Sequence, residues 1–317
     1  DRGNAVAFPV RLADPKPAPG ADGPPQRADR RPVPAKDERG PKARCHVECL
    51  CFERVLGGLT AHDLDPVAQP PLGDLGSRAL AGVLPHLNPR AGDAKAPIVY
   101  DVDRNRDGRS FKSRRVVAIQ HGRPIFTLAA SFQLEQEGLD HQFEMPQVPM
   151  PEELSSESDI PEDRLEKVSP LLRRWFTRTG PFDFRPTRKT DVFNPHPQSP
   201  HSNIWFRLNE KIDVPDQMHR ALMAYASDFH LVGTATLPHG ISFIQDDLLM
   251  ASLDHGMWFH RPVRVDDWLL YSCDSPSSSG GRGLARGLIY DRKGRLVAST
   301  IQEGMIRVGK RPDRRKS

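Results

Sequence analysis

The feature of this sequence that most constrains its fold is a motif that occurs twice. Tyr100 and Gly122 in the first half correspond to Tyr271 and Gly294 in the second, at separations of 171 and 172 residues. Each copy lies among three apolar runs joined by short turns that contain glycine, which is typical of an antiparallel meander. The sequence therefore predicts a duplicated unit of antiparallel strands.

Alternation of apolar and polar residues places the strands of both copies. The predicted strands are Ile98–Val102, Phe111–Gln120 and Ile125–Gln133 in the first copy, Trp268–Tyr271, Gly283–Tyr290 and Leu296–Val308 in the second, and Phe182–Arg185 between them. Tight turns join successive strands, so neighbours in sequence are expected to pair as hairpins.

A helix is predicted over Asp216–Phe229, ahead of the second meander. Its apolar residues recur at the spacing of one helical face, and they are Met218, Leu222, Tyr225 and Phe229. A curved antiparallel sheet wrapped on such a helix is the hotdog unit. We therefore expect an α+β double hotdog, with two curved antiparallel sheets, each wrapped on a central helix, and an incomplete first unit.

Composition divides the chain into segments. The first 45 residues hold nine prolines, ten Lys or Arg and six Asp or Glu, with almost no large apolar residues. Such a segment cannot bury enough apolar surface to fold alone. The expected organisation is a disordered tail (1–45), a first hotdog unit (46–134, atypical over 46–91), a connector (135–180), a second hotdog unit with the catalytic residues (181–309) and a basic tail (310–317).

The charge distribution bears on partners. The formal net charge of +4 comes entirely from residues 1–45, because the remainder holds equal numbers of basic and acidic residues. A neutral body argues against a nucleic-acid partner, whose phosphates would require clustered basic groups. No apolar run approaches the roughly 18 residues of a membrane span, so no membrane segment is expected.

Cysteine usage indicates a reducing, cytoplasmic location. Cys45, Cys49 and Cys51 do not form the regular framework of a secreted disulfide protein. Together with His46 they contain zinc-ligating groups, but a second ligand pair at a familiar spacing is missing. We therefore predict no metal and no cofactor.

Seven segments, in order along the chain, resemble one enzyme family. They are Asp107–Phe111, Ala130–Gln133, Tyr225–Asp228, Leu237–Gly240, Leu253–His260, Trp268–Tyr271 and Ala298–Gly304. Together they resemble the acyl-CoA thioesterase II family of double-hotdog acyl-CoA hydrolases, over roughly residues 92–309. The resemblance implies an enzyme that hydrolyses medium- to long-chain fatty acyl-CoA to free acid and CoA, and that assembles as a homo-oligomer.

The resemblance assigns the active site to Asp228, Ser252 and Gln302, with serine where the family has threonine. Thioester hydrolysis needs an oriented water, an acceptor for its proton and donors near the carbonyl oxygen. A carboxylate accepts that proton, while a hydroxyl and an amide orient the water or the carboxylate. General-base attack by water is implied, although each residue also has a structural interpretation as a cap, a strand hydroxyl or a backbone partner.

Other residues near this site are interpreted less readily. Strand alternation places Ser252 and Asp254 on one face and Leu253 and Met257 on the other. His255 directly follows Asp254, so their side chains point to opposite faces and a structural role is favoured for this pair. A Ser-His-Asp acyl-enzyme is the weaker alternative, because no Gly-x-Ser-x-Gly motif occurs.

Alignment of the two copies predicts one active site per chain. Gly122 aligned with Gly294 places Ala130 opposite Gln302, so the first copy lacks the amide. The family's N-terminal Gly-Gly-Gln is represented only by Gly57-Gly58. Two alternative functions are a hotdog enoyl-CoA hydratase, which would add water without releasing thiol, and an acyl-CoA-binding protein without turnover.

Overall fold

The computed structural model describes residues 79–87, 92–93, 96–161, 165–166, 173, 180–242, 244 and 248–309. The strands are β1 (Ala79–Leu87), β2 (Val99–Asp107), β3 (Phe111–Gln120), β4 (Arg123–Gln133), β5 (Phe182–Pro186), β6 (His201–Leu208), β7 (Leu248–Ser252), β8 (Gly256–Phe259), β9 (Leu269–Ser279), β10 (Arg282–Asp291) and β11 (Leu296–Val308). Helix α1 spans Asp216–Ser227, and 3-10 helices span Pro151–Glu153 and Val232–His239.

Several predictions concern parts of the chain outside these described residues. They are the tails 1–45 and 310–317, residues 46–78, and the cysteine cluster Cys45, His46, Cys49 and Cys51. In the described part of the chain, no helix has the length and apolar composition that a membrane crossing needs.

The described strands form one antiparallel sheet. Its order is β2-β3-β4-β1-β8-β11-β10-β9-β6-β5, with β7 also paired to β11. The meanders β2–β3–β4 and β9–β10–β11 are joined through β1 and β8, where Gly82 faces Trp258 and Val83 faces Met257. The predicted antiparallel meanders are confirmed, and their grouping into a double hotdog stays a prediction.

Strand β1 was not predicted, and its sequence contains Pro85. Proline has no N–H to donate, so it is tolerated only where one side of a strand is unpaired. The pairing of β1 with β8 covers Gly82 and Val83 alone. Pro85, opposite Leu128 of β4, therefore lies beyond the stretch in which both sides of β1 are paired.

The core lies between the inner face of the sheet and α1. Alternate residues of β4 are buried, as the predicted alternation requires. Phe126 and Phe132 from β4 belong to the same apolar cluster as Leu222 and Met223 from α1. Both meanders thus share a core with this helix. It begins at Asp216 as predicted and ends at Ser227, two residues before the predicted end.

The connector covers the outer face of the second meander. Trp205, Trp268 and Tyr290 form a second buried cluster there, against which Met145 and Met150 of the connector pack. The Trp205 indole N–H donates to the carbonyl oxygen of Pro149 at 2.9 Å. This part of the sheet is consequently covered on both faces.

The 3-10 helix Val232–His239 packs directly on β11 because residue 304 is a glycine. A methyl group built on Gly304 would lie 2.1 Å from the Cγ2 atom of Val232. Val232 is itself buried, and its β-branched side chain has little rotamer freedom. The absence of a side chain at Gly304 therefore sets how closely this helix approaches the sheet.

Gly304→Ala is expected to lower the free energy of unfolding by about 1–3 kcal/mol, the usual cost of overpacking a core. Gly233→Ala is the matched control, because a methyl group there meets no atom within 4 Å. Denaturant unfolding of both variants measures the difference. Equal stabilities for the two variants would contradict the packing argument.

Stability is also expected to fall below pH 6.5, because His219 on α1 is buried and its Nδ1 accepts the Val265 N–H at 3.3 Å. Burial lowers the pKa of His219 below its ordinary 6.5. Below pH 6.5 the unfolded chain therefore binds more protons than the folded chain. The free energy of unfolding falls as the pH drops from 6.5 towards the lowered pKa of His219 in the folded state.

The measurement is the free energy of unfolding between pH 7 and pH 5. His219→Asn keeps an acceptor at this place and removes the titration, so its pH dependence should be shallower than that of the wild type. An unchanged slope would show that His219 does not contribute.

Candidate active site

Asp228 caps the C-terminal end of α1, where the helix meets the sheet. Its backbone φ and ψ are −78° and −20°, and its N–H donates to the Tyr225 carbonyl at 3.4 Å. The side chain is 17% exposed, so the carboxylate is accessible to solvent without being surrounded by it. A water molecule can therefore reach the Asp228 carboxylate, while the helix holds the backbone of this residue.

Tyr271 of β9 holds this end of α1 against the sheet. Its hydroxyl donates to the Ser227 carbonyl at 3.1 Å and lies 2.8 Å from Thr300 Oγ1. A methyl group built on Gly287 would lie 2.2 Å from the Tyr271 ring, so glycine at 287 makes room for it. Burial raises the pKa of Tyr271 well above 10.0, and the hydroxyl thus remains a donor.

Gln302 of β11 joins the three predicted residues. Its side-chain Nε2 donates to Asp228 Oδ1 at 2.5 Å and to Ser252 Oγ at 2.9 Å. Gln302 is fully buried. An amide nitrogen carries two hydrogens, and both are committed to these contacts. The structure therefore brings Asp228, Ser252 and Gln302 together around one amide.

A β-bulge between β7 and β8 determines what else faces this site. Leu253 and Asp254 both donate their N–H to the Glu303 carbonyl, at 2.9 and 3.4 Å. This arrangement opposes two residues to one on β11, and it changes which side chains face inward. Ser252 and His255 consequently both face the core, whereas Leu253 is exposed.

His255 therefore lies inside the site, which simple alternation did not indicate. Its Nδ1 is 3.7 Å from Asp228 Oδ1, and its Nε2 is 2.9 Å from Ser227 Oγ. Burial lowers the pKa of His255, and the charge of Asp228 acts in the opposite direction with a smaller effect. The imidazole is thus neutral at physiological pH.

Aromatic side chains adjoin the carboxylate. Phe229 follows Asp228 and is 45% exposed. Its ring centroid lies 5.1 Å from that of Tyr225 and 5.5 Å from that of Phe184. An apolar surface thus borders the polar group.

Within the described part of the chain, no three His, Cys, Asp or Glu side chains are grouped as a metal site requires. Cys273 is buried, and burial raises the pKa of its thiol. A thiol in that state is a poor nucleophile, because the thiolate is the reactive form. The groups available for chemistry at this site are a carboxylate, a hydroxyl, an amide and a neutral imidazole.

Comparison with solved structures identifies the class of protein. Acyl-CoA thioesterase II from Mycobacterium marinum is 33% identical, with a TM-score of 0.64 over 84% of this chain and 91% of that chain. A hot dog fold protein from Alicyclobacillus acidocaldarius shares the fold at 17% identity, with a TM-score of 0.57 over 77% of this chain and 83% of that chain. The chain therefore has the fold of the hotdog proteins.

Sequence comparison then identifies the family. The acyl-CoA thioesterase profile matches residues 172–305, and the profile of the acyl-CoA thioesterase N-terminal domain matches residues 89–133. Human acyl-coenzyme A thioesterase 8 is 41% identical over 227 residues, covering 69% of this chain and 70% of the relative. Acyl-CoA thioesterase 2 from Haemophilus influenzae is 38% identical, covering 68% and 76%. The chain belongs to the acyl-CoA thioesterase family, and the predicted class of enzyme, a thioester hydrolase, is confirmed.

Tyr271→Phe is expected to slow catalysis by loosening the residue that precedes Asp228. The substitution leaves the Ser227 carbonyl without the phenol donor, which costs about 1–3 kcal/mol when a polar group is buried. Turnover and melting temperature should both fall. Tyr290→Phe, in the outer cluster, is the matched control and should preserve turnover. Equal turnover in the two variants would remove Tyr271 from the support of the site.

Proposed function

We propose that the enzyme hydrolyses medium- to long-chain fatty acyl-CoA to free fatty acid and CoA, by direct attack of a water molecule that Asp228 deprotonates. Ser252 and Gln302 hold the water and the carboxylate in the orientation that attack requires. The observation that carries this proposal is the Gln302 amide, which donates to Asp228 and Ser252 at 2.5 and 2.9 Å.

The amide contact supports a role for Asp228 as the general base. A carboxylate that accepts one hydrogen bond keeps other lone pairs for a water molecule. The bond to Gln302 fixes the carboxylate before substrate arrives, which lowers the entropy cost of reaching the reactive geometry. Ser252 Oγ lies on the other side of the same amide and can accept from or donate to that water.

The proposed reaction has two steps. The water oxygen bonds to the thioester carbonyl carbon while its proton passes to Asp228, which gives a tetrahedral oxyanion. The oxyanion then collapses, the carbon–sulfur bond breaks, and the CoA thiolate leaves with the proton that Asp228 held. The oxyanion needs hydrogen-bond donors other than the N–H groups of Asp228 and Phe229, which donate to the carbonyls of Tyr225 and Ala226 at the end of α1.

An acyl-enzyme is less well supported. Ser227, His255 and Asp228 are arranged as serine, imidazole and carboxylate, but Ser227 is fully buried on α1 and substrate cannot reach it. Ser252 Oγ accepts from the Gln302 amide. A base could deprotonate Ser252 only after one of the two side chains moved. Direct attack by water uses the side-chain positions that are observed.

The apolar surface beside Asp228 supports a fatty acyl substrate. Phe229 is 45% exposed and directly follows the proposed base. An acyl chain that covers this ring buries apolar area, and each methylene removed from water contributes about 0.8 kcal/mol. Longer chains should therefore bind more tightly until the surface is filled.

The proposed architecture is a double hotdog, with residues 46–134 and 181–309 as its two units and 135–180 as the connector. The meander that recurs in β2–β4 and β9–β11 supports it. Asp228, Ser252 and Gln302 all belong to the second unit, which supports one active site per chain. A homo-oligomer in the cytoplasm remains our prediction.

Asp228→Asn should lower kcat by roughly 10²–10⁴-fold, since it keeps the shape of the side chain and removes the proton acceptor. Gln302→Ala should cost less, and the double variant should be little worse than Asp228→Asn alone, because residues that act as a unit are not additive. Ser252→Thr should be nearly neutral and Ser252→Ala slow. Thiol release over a series of acyl-CoA chain lengths measures all of these effects.

Full activity in Asp228→Asn would discard Asp228 as the base. Mass spectrometry during turnover tests the nucleophile, and an acyl group on Ser252 would replace direct water attack with a covalent route. Hydration of enoyl-CoA without thiol release would favour the hydratase, and binding without turnover would favour an acyl-CoA-binding protein.

A further inference from the structure

The Gln302 amide has an oxygen as well as two N–H groups. The proposed mechanism supplies no partner for that oxygen. Both Nε2 hydrogens go to Asp228 and Ser252, because an ionised carboxylate can only accept. The amide oxygen Oε1 therefore points elsewhere. It is buried and accepts no hydrogen bond of regular length and angle from a described residue. A buried carbonyl oxygen of this kind calls for a donor.

His255 is the polar side chain in position to supply that donor. Its Nε2 lies against Ser227 Oγ at 2.9 Å, so its Nδ1 is on the side of Asp228 and Gln302. Burial lowers the pKa of His255, and hydrogen bonding to Gln302 acts in the opposite direction with a smaller effect. In unliganded active sites such contacts are often poorly aligned and tighten when substrate binds.

The single hydroxyl hydrogen of Ser227 decides which imidazole nitrogen is protonated. Ser227 Oγ has two acceptors in reach, the Ala224 carbonyl at 2.8 Å and His255 Nε2 at 2.9 Å. If the Ser227 hydroxyl donates to the Ala224 carbonyl, His255 must carry its ring proton on Nε2. Its Nδ1 is then an acceptor that faces a second acceptor, Gln302 Oε1. If the Ser227 hydroxyl donates to His255 Nε2, the ring proton is on Nδ1 and can be donated to Gln302 Oε1. The hydrogen bond from Ser227 to the Ala224 carbonyl is then lost.

We propose that His255 is a positioning residue whose Nδ1–H donates to Gln302 Oε1 and so fixes the amide with Nε2 facing Asp228 and Ser252. The hydrogen-bond chain runs from Ser227 through His255 and Gln302 to the base. This inference rests on the proposed function of Asp228. His255 does not contact substrate in this arrangement, and it acts through Gln302.

The surroundings of the imidazole are consistent with this role. His255 is 4% exposed, and the bulge at Leu253 and Asp254 turns it towards the core. Burial lowers the pKa of His255, which keeps the ring neutral, so that Nε2 can accept from Ser227. A neutral ring with a protonated Nδ1 can accept at one end and donate at the other.

The first test is the tautomer of His255 in the wild-type full chain. Nitrogen NMR of protein labelled at histidine distinguishes a protonated Nδ1 from a bare one, with the His255→Asn variant assigning the resonance. The proposal requires a proton on Nδ1. A neutral ring with its proton on Nε2 would overturn it, and this outcome needs no variant to be active.

The second test is kinetic. His255→Asn places an amide nitrogen near the position of Nδ1 and should retain most of the turnover. His255→Gln places its amide nearer the position of Nε2 and should lose roughly 10- to 100-fold in kcat with little change in KM. Equal losses in the two variants, matched by equal losses of melting temperature, would indicate a packing role and overturn the proposal.

Coupling to Gln302 separates positioning from stability. In a Gln302→Ala background, His255→Gln should cost little more, because the group through which it acts is gone. His219→Gln is the matched control, since His219 is a buried histidine of α1 that bonds to Val265 instead. It should have the same proportional effect in both backgrounds. Independent effects of His255→Gln and Gln302→Ala would refute the chain of contacts.

The two proposals fail differently. An active Asp228→Asn variant would refute the general base but would leave the tautomer and the coupling of His255 to Gln302 measurable. An unprotonated Nδ1, or independent effects of His255→Gln and Gln302→Ala, would refute the role of His255. Asp228 would remain the proposed base.

Discussion

The structure depends on one buried amide that connects a helix end to the middle of a sheet. Gln302 reaches Asp228 at the end of α1 and Ser252 at the end of β7. A buried polar group left without its partner costs about 1–3 kcal/mol. Any movement of α1 along the sheet would break such contacts inside an apolar core. The position of Asp228, the proposed base, relative to the sheet is therefore set by hydrogen bonding as well as by packing.

Packing around the helix end serves the same position. Glycine at 287 lets the Tyr271 ring cross β10 to reach Ser227, and glycine at 304 lets the 3-10 helix Val232–His239 rest on β11. Each glycine admits a bulky side chain from a neighbouring element. Two close approaches thus fix the segments before and after Asp228, while the carboxylate itself stays accessible.

Much of the sheet could be predicted because one buried face imposes alternation. The bounds of β3 and β11 agree with those predicted, and each lies beside a turn that contains glycine. Strand β1 could not be found, since Pro85 argues against a strand unless the unpaired side is known. Helix α1 ends two residues before the predicted end, because the N–H groups of Asp228 and Phe229 donate to carbonyls three residues earlier, as in a 3-10 turn.

The site was predictable to a different degree. Asp228, Ser252 and Gln302 were named because their surrounding motifs resemble a family, as single polar residues in helices and strands carry no pattern of their own. The structure brings the three side chains together around one amide, and their catalytic roles stay a prediction. His255 was interpreted as structural, because simple strand alternation does not show the orientation that the bulge gives it. The bulge arises from the shared contact of Leu253 and Asp254 with Glu303, a pairing 49 residues away in sequence for Asp254.

The two meanders share a backbone plan but differ at the position of the proposed site. Gln302 in β11 is paired with Ala285 of β10, whereas Ala130 in β4 is paired with Arg114 of β3. The large polar side chain is therefore on the last strand of the second meander but on the middle strand of the first. Arg114 turns its guanidinium to Asp107 and to backbone carbonyls of its own meander. A glutamine at position 130 alone would therefore meet a site already occupied by a cation, and the first meander is better suited to support than to hydrolysis.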